Sequence, residues 1–255
     1  MNPLLPDAFR QVPLAHRGYH GGPNGVENSR EAIANAVANG YGIELDLQLS
    51  ADGQAMVFHD DTLDRMTCKS GQVLDKSAAK LGTILLSGGQ TGIPTLAEIL
   101  KQVAGKVPLL IEIKYQNADL GPTSGQLERA TAAALQSYSG AVAVMSFNPH
   151  SVAHMAKFAP KIPRGLTTDS FAAKDWPDVP EARLLDLQRH DGFDAMGAVF
   201  ISHDHRDLAN SKVAEVKSNG LAVLCWTVTS EREEIRARRI ADNITFEGYP
   251  ANIAP

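Results

Sequence analysis

The residues able to do chemistry gather at the ends of short apolar runs. One run ends in Leu14-Ala15 and is followed at once by His16-Arg17-Gly18. A second reads Gly42-Ile43-Glu44-Leu45-Asp46-Leu47-Gln48-Leu49. A side-chain period of two puts Glu44, Asp46 and Gln48 on one face of such a strand and the aliphatic residues on the other. A third run, Leu109-Leu110-Ile111-Glu112-Ile113-Lys114, places Glu112 and Lys114 on a common face. Between them, Met56-Val57-Phe58 delivers His59 ahead of Asp60-Asp61. Carboxylates crowded on one inward face repel each other unless a cation lies between them. Glu112 can complete a three-carboxylate site with Glu44 and Asp46, and such hard oxygen donors suit Mg²⁺ or Ca²⁺. Arg17 and Lys114 then supply the positive charge that an anionic substrate such as a phosphate ester requires. His16 and His59 make an acid–base pair: one takes a proton from an attacking hydroxyl, the other gives one to a leaving alcohol. With a metal to neutralise phosphoryl charge, this set suits phosphodiester cleavage.

These side chains need a scaffold that brings strand ends together. Short β-rich runs occur at 13–15, 42–49, 56–58, 109–113, 141–147, 165–168, 195–202, 222–228 and 244–246. Helical periodicity fills most of the gaps, at 29–39, 126–137, 149–158, 181–189, 208–218 and 230–239. Ser124 and Thr229-Ser230 stand where helix caps are expected, and Gly40 and Gly220 stand just past helix ends. Strands alternating with helices imply a parallel sheet, and continuous apolar strands imply that both faces are covered. The chain of 255 residues therefore reads as one α/β domain, residues 1–255, a (β/α)₈ TIM barrel whose catalytic face lies at the strand C-termini. The alternative, a doubly wound open sheet, lacks a G-x-G-x-x-G after the first strand. Residues 59–94 break the rhythm, carry five glycines (Gly71, Gly82, Gly88, Gly89, Gly92), and read as a small insertion after the second strand, over one face of the barrel.

Composition removes other classes. Lys and Arg number 24 against 29 Asp and Glu, a net charge of −5, which argues against a nucleic-acid binder. No apolar run approaches the length of a spanning helix, and the first twelve residues, with Pro3, Pro6 and Asp7, do not read as a signal peptide, so no membrane partner and a cytoplasmic location are expected. Cys68 and Cys225 lie far apart and read as free thiols. His203-Asp204-His205 has an H-x-H spacing that suits a transition metal, but a polar loop near the barrel mouth is the plainer reading. His150 and His154 read as a solvated helix face. Arg232, Arg236, Arg238 and Arg239, interleaved with Glu231, Glu233 and Glu234, read as a salt-bridged surface. Glu27 reads as a residue that orients its neighbours.

The same residues resemble a known family. His16-Arg17-Gly18, Glu27-Asn28-Ser29, Glu44-Leu45-Asp46 and His59-Asp60-Asp61-Thr62-Leu63-Asp64-Arg65-Met66-Thr67 are similar to the glycerophosphodiester phosphodiesterases. The likeness continues through 93–100, Glu112-Ile113-Lys114, Ser146-Phe147-Asn148 and Trp226-Thr227-Val228, and spans roughly residues 14–250. It implies a TIM barrel with an insertion, His16 and His59 as catalytic acid and base, and one divalent cation on Glu44, Asp46 and Glu112. It also implies that Arg17 and Lys114 lie against the phosphate, and that Phe147 and Trp226 line the substrate pocket. The implied reaction is hydrolysis of a small-molecule glycerophosphodiester to glycerol 3-phosphate and an alcohol, through a cyclic phosphate formed by the substrate's own hydroxyl. Two alternatives stay open: a phospholipase D-like or phosphoinositide-type lyase that stops at the cyclic phosphate, and a non-catalytic barrel that binds phosphate esters. Two departures bear on head-group specificity. Glu247-Gly248-Tyr249-Pro250 stands where the family commonly has an Asp before Tyr-Pro, and Thr229 stands where Asn is frequent after Trp-Thr-Val.

Overall fold

Parallel pairing closes eight strands into a ring. In this computed structural model, residues 3–22, 25–189, 193 and 196–253 are described. Among them the strands are β1 (Leu14–Ala15), β2 (Gly42–Leu49), β3 (Ala55–Val57), β4 (Leu109–Ile113), β5 (Val142–Ser146), β6 (Arg164–Thr168), β7 (Phe200–Asp204), β8 (Ala222–Val228) and β9 (Asn243–Phe246). Their order is β1-β9-β8-β7-β6-β5-β4-β2, and β1 also pairs with β2, which closes the barrel. β3 runs antiparallel along the outer end of β2 and is not a stave.

Helices α1 (Ala8–Gln11), α2 (Arg30–Ala38), α3 (Ala78–Leu81), α4 (Leu96–Val103), α5 (Gln126–Leu135), α6 (Pro149–Phe158), α7 (Glu181–Arg189), α8 (Ser211–Ser218) and α9 (Glu231–Ala237) fill the connections. Their starts follow local chemistry. Ser29 caps α2, a Thr95–Glu98 capping box opens α4, Asn148 caps α6 ahead of Pro149, and Ser230 caps α9. Gly40 and Gly220 take the left-handed conformation expected past helix ends, with φ of 72° and 74°.

Strand alternation builds two cores. Outward residues such as Ile43, Leu45, Ile111, Ile201 and Val223 are buried under the helices with Ile33, Ile99 and Val213. Inward residues at the lower end, Leu14, Leu110, Phe200 and Leu224, form a plug with Leu5 and Phe9 from the N-terminal segment. Each such side chain contributes roughly 1.5–3 kcal/mol by leaving water. Asn243 locks that segment in place by donating to the carbonyls of Phe9 (2.8 Å) and Val12 (2.6 Å). Residues of the irregular 59–94 stretch carry a small core of their own, with Leu63, Val73, Leu81, Ile84, Leu86 and Ile93 closing on Met56 and Phe58.

Four local expectations need correction. Ser124 does not cap its helix; Gly125 takes that position with φ of 73° and no side-chain cap. The strand read at 195–202 is Phe200–Asp204, because Gly197 at φ 60° interrupts the approach, and Ala195 lies outside the described residues. The helix read at 208–218 begins only at Ser211, after a separate short turn at His205–Asp207, because Asn210 caps it there. His154 is not on a solvated face: its ring stacks on Phe158 at 5.5 Å and its Nε2 lies 3.2 Å from the Thr123 carbonyl oxygen.

Gly165 is a tight point of the lower interior. A Cβ there would stand 2.5 Å from both the ring and the carbonyl oxygen of Phe200. Gly165→Ala is expected to cost about 1–3 kcal/mol by overpacking. Urea unfolding checks this, and a midpoint equal to wild type would show that the plug can yield.

Candidate active site

Register assembles the acids. β2 and β4 pair so that Asp46 lies directly beside Glu112, and Glu44 sits two residues earlier on the same inward face as Asp46. Carboxylate oxygens of the three lie within 4.8 Å of one another, and all three side chains are buried. Two cations face them. Lys114 donates from Nζ to Glu112 Oε1 at 2.8 Å and stands 3.7 Å from Asp46 Oδ1. Arg17 brings Nε to 3.4 Å from Asp46 Oδ2 and donates from its backbone N–H to Glu44 Oε2 at 3.0 Å. The turn after β1 makes this possible: Arg17 has φ of 54°, and Gly18, at φ 82°, comes so close to Ala32 that a Cβ would stand 3.0 Å from it.

Charge is not balanced by these groups alone. Burial, then Asp46 and Glu112, push the Glu44 carboxyl well above the usual carboxylate range. Burial acts the same way on Asp46, but Lys114, His59 and Arg17 overcome it and hold that carboxyl low. Burial would lower Lys114, yet Glu112 and Asp46 raise it, so it stays charged. Three acids face one Lys and one Arg in a buried pocket, an imbalance expressed in the raised Glu44 carboxyl, and Arg17 is shared with Glu27. An all-oxygen donor set with that imbalance fits a hard divalent cation.

Both imidazoles face this space and are held by carboxylates. His16 Nδ1 lies 2.5 Å from Glu247 Oε2 at the end of β9, and His59 Nδ1 lies 2.6 Å from Asp60 Oδ1. Each pairing leaves Nε2 as the nitrogen turned away from the carboxylate. At His59, Nε2 is 3.2 Å from Lys114 Nζ. An ammonium can only donate, so this arrangement puts the lone pair at Nε2 and the proton at Nδ1. Burial first, then Lys114 and Arg17, outweigh Asp46 and Asp60 and lower the His59 pKa.

A polar chain steadies the upper rim. Arg65 donates from Nε to Asp60 Oδ2 (2.7 Å) and from Nη2 to Glu27 Oε1 (2.7 Å), and Glu27 accepts from Arg17 Nη1 (2.9 Å). The insertion is thereby tied to the loop after β1. Asn28 donates from Nδ2 to Asp46 Oδ2 at 2.9 Å and accepts the Asp46 N–H at 3.3 Å, fixing the central acid.

His16, Arg17, Glu44, Asp46, His59, Glu112, Lys114, Phe147 and Trp226 all line one cavity of about 140 Å³, so every site residue expected from the sequence meets in one place. Phe147 and Trp226 stand edge to face at 5.5 Å, and Trp226 Nε1 donates to the Ser202 carbonyl at 2.9 Å. Sequence reasoning missed Glu247, Asp60 and Asn28 as partners. Asp60 and Asn28 carried a signal, since each adjoins a residue already singled out. His203 does not join the mouth: it is fully buried, 2.8 Å from Thr168 Oγ1 and 3.2 Å from Asp207 Oδ2. Its outward position on β7 removes the H-x-H reading.

Two outcomes test this geometry. Adding Mg²⁺ or Ca²⁺ at about a hundred times its dissociation constant should stabilise the wild type by roughly 2.7 kcal/mol. Glu44→Gln should lose most of that gain in thermal unfolding, and an equal gain would remove Glu44 from the ligand set. The second concerns acid. The hydrogen bond from His16, with help from its charge, lowers Glu247 from 4.5 to about 2 against the opposing effect of burial. A depressed carboxyl contributes stability above its unfolded pKa and loses it as pH falls through the folded one. The stability difference between wild type and Glu247→Gln should therefore be full at pH 6 and shrink between pH about 4.5 and about 2. A pH-independent difference in urea midpoints would exclude the pairing.

Known proteins resemble this chain in sequence and in fold. Residues 16–244 match the model of the glycerophosphoryl diester phosphodiesterase family. The chain is 31% identical over 242 residues to a glycerophosphodiester phosphodiesterase of Caldanaerobacter subterraneus subsp. tengcongensis, covering 91% of this chain and 90% of that one. It is 28% identical over 274 residues to the glycerophosphodiester phosphodiesterase of Bacillus subtilis, covering 98% and 86%. Among solved structures, a phosphodiesterase of Oleispira antarctica in complex with the product sn-glycerol-3-phosphate superposes with a TM-score of 0.77 at 23% identity, covering 95% and 96%, and shares the fold.

Proposed function

The chain belongs to the glycerophosphoryl diester phosphodiesterase family, and from that premise we propose which residues carry its reaction. The protein is a metal-dependent phosphodiesterase that hydrolyses glycerophosphodiesters to glycerol 3-phosphate and an alcohol. The observation that carries the residue assignment is one cavity in which a buried acid triad lies beside two carboxylate-held imidazoles.

Glu44, Asp46 and Glu112 hold one divalent cation, Mg²⁺ or Ca²⁺ in our reading; when bound it polarises a phosphoryl oxygen and favours ionisation of a nearby hydroxyl. The rest falls to the chain's own groups. Arg17 Nε is buried, pairs with Asp46 only at 3.4 Å and makes no hydrogen bond among the described residues, which leaves it able to donate to a phosphate oxygen. Lys114 sets a second positive charge against the same phosphate. His16 and His59 divide the proton work. One takes the proton of the substrate's own 2-hydroxyl as its oxygen bonds to phosphorus. The other protonates the departing alcohol as the second P–O bond breaks, leaving a cyclic phosphate. Water then opens the ring with the two roles exchanged, and glycerol 3-phosphate leaves. Because the attacking group belongs to the substrate, no second molecule is positioned in the first step. Phe147 and Trp226 offer apolar ring surface beside the glycerol carbons. We place this reaction in the cytoplasm, in the turnover of deacylated lipid head groups: the exposed Cys68 thiol and the unpaired Cys225 suit a reducing compartment.

His16→Ala and His59→Ala should each lower kcat on glycerophosphocholine by about 10²–10⁴-fold, with the thermal shift on divalent cation retained. Coupled assay of glycerol 3-phosphate, alongside phosphorus NMR for the cyclic ester, measures this. A variant keeping most of the wild-type rate loses its place in the pair, and a cyclic ester that persists without glycerol 3-phosphate would make the protein a lyase.

A further inference from the structure

A second, larger cavity opens beside the first. It measures about 420 Å³, within the range of small-molecule sites, and its lining shares His59 and Lys114 with the catalytic cavity. One wall is the inserted segment, with Asp61 and Leu74; the other is the stretch after β4 with Tyr115, together with Asp178 from the approach to α7. A phosphodiester has two arms. If its phosphate lies against Arg17 and Lys114, one arm occupies the cavity of about 140 Å³ and the other must leave through a neighbouring opening. The opening that begins at His59 and Lys114 is this one.

Its charges are unexpected beside an anionic substrate. Asp60 is neutralised by Arg65 and accepts from the neutral His59 ring, and Lys114 is neutralised by Glu112 and Asp46. Asp61 and Asp178 have no such partner: neither carboxylate has a hydrogen bond or ion pair among the described residues. Two free carboxylates repel a phosphate monoanion that approaches through this opening, unless the substrate brings a positive charge on the arm that faces them. The remaining wall suits such a group. Tyr115 is 36% exposed, with its ring held against Trp176 at a centroid distance of 6.0 Å, and Leu74 is 53% exposed. An aromatic face and an aliphatic side chain are good neighbours for the carbons around an ammonium nitrogen.

We propose that this cavity receives the leaving alcohol and favours alcohols that carry a primary or quaternary ammonium group, read by the carboxylates of Asp61 and Asp178 and the ring of Tyr115. The proposal rests on the hydrolase reading above and extends it to the head group. Neutral polyol head groups gain nothing from these carboxylates, and head groups that are themselves anionic are repelled.

The test compares kcat/KM for glycerophosphocholine and glycerophosphoethanolamine with that for glycerophosphoglycerol, in wild type, in Asp61→Asn/Asp178→Asn and in Tyr115→Leu. All three residues are on the surface, so folding is checked simply by the thermal transition. The wild-type ratio of cationic to neutral substrate should be about fivefold or more, and should fall toward one in the double variant, as expected for exposed charge pairs and one ring contact. Choline chloride, titrated by calorimetry, should bind the wild type and lose affinity in the same variants. A ratio that is the same in wild type and variants, or choline binding that survives the double substitution, overturns the proposal. No turnover of any of the three diesters, with choline binding present in wild type and lost in the double variant, would strike the hydrolase reading and leave the ammonium site standing.

Discussion

Three carboxylates are forced into one buried space by the register of β2 against β4, and the rest of the site answers that constraint. Asp46 beside Glu112 is a consequence of backbone pairing, not of side-chain attraction. Acids this close and this buried oppose folding unless positive charge meets them. Lys114 is delivered by the same strand alternation that delivers Glu112, two residues earlier. Arg17 comes from β1, the neighbour of β2 on its other side. The two cations thus flank the acids from opposite staves, and an imbalance of acids over cations remains for a divalent ion and an anionic substrate to complete.

Holding that arrangement requires a second ring of polar contacts. Asn28 pins the central acid through both its backbone and its side chain. Glu247 and Asp60 each hold one imidazole by Nδ1, which fixes the tautomer and turns Nε2 to the cavity. Arg65 then joins Asp60 to Glu27, so the insertion is tied to the first loop beside the acids and imidazoles. This explains why the insertion, which adds nothing to the barrel, is still part of the site. It supplies His59 and one wall of the larger cavity, and its small apolar core keeps both in place.

The alternation of acid and aliphatic residues in Glu44-Leu45-Asp46 was enough to read a polar face, and the same held for Glu112 and Lys114. His16 was legible because strand ends converge in a barrel, whereas His59 follows β3, which is not a stave, and reaches the cavity from the irregular stretch after it. Register was not legible: nothing in the sequence says that Asp46 pairs with Glu112 rather than with Leu110. Contacts between distant loops were equally hidden. Glu247 read as a departure from a family pattern, and nothing in the sequence showed that its carboxylate meets His16, 231 positions away in the chain. His203 looked like a mouth residue because strand ends were placed by composition. One residue of phase on β7 turns it outward to Thr168 and Asp207. Gly197 and Asn210 defeated the boundary readings nearby, since each redirects the backbone by a local preference that periodicity does not register.

The two faces of each stave also separate stability from chemistry. Outward side chains meet the helices in a continuous apolar layer, and inward side chains below Gly165 and Phe200 form a solid plug. Above them the interior changes character. Thr167, Ser202 and Thr245 carry buried hydroxyls with no protein partner among the described residues. They mark the level at which the barrel stops being core and becomes site. A buried hydroxyl without a partner costs about 1–3 kcal/mol, a charge more. The fold tolerates that cost because the outer layer and the plug do not depend on what the upper interior contains. Catalytic residues can therefore be arranged for reaction, with crowded like charges and strained loop conformations at Arg17 and Asn28, on a frame whose stability is secured elsewhere.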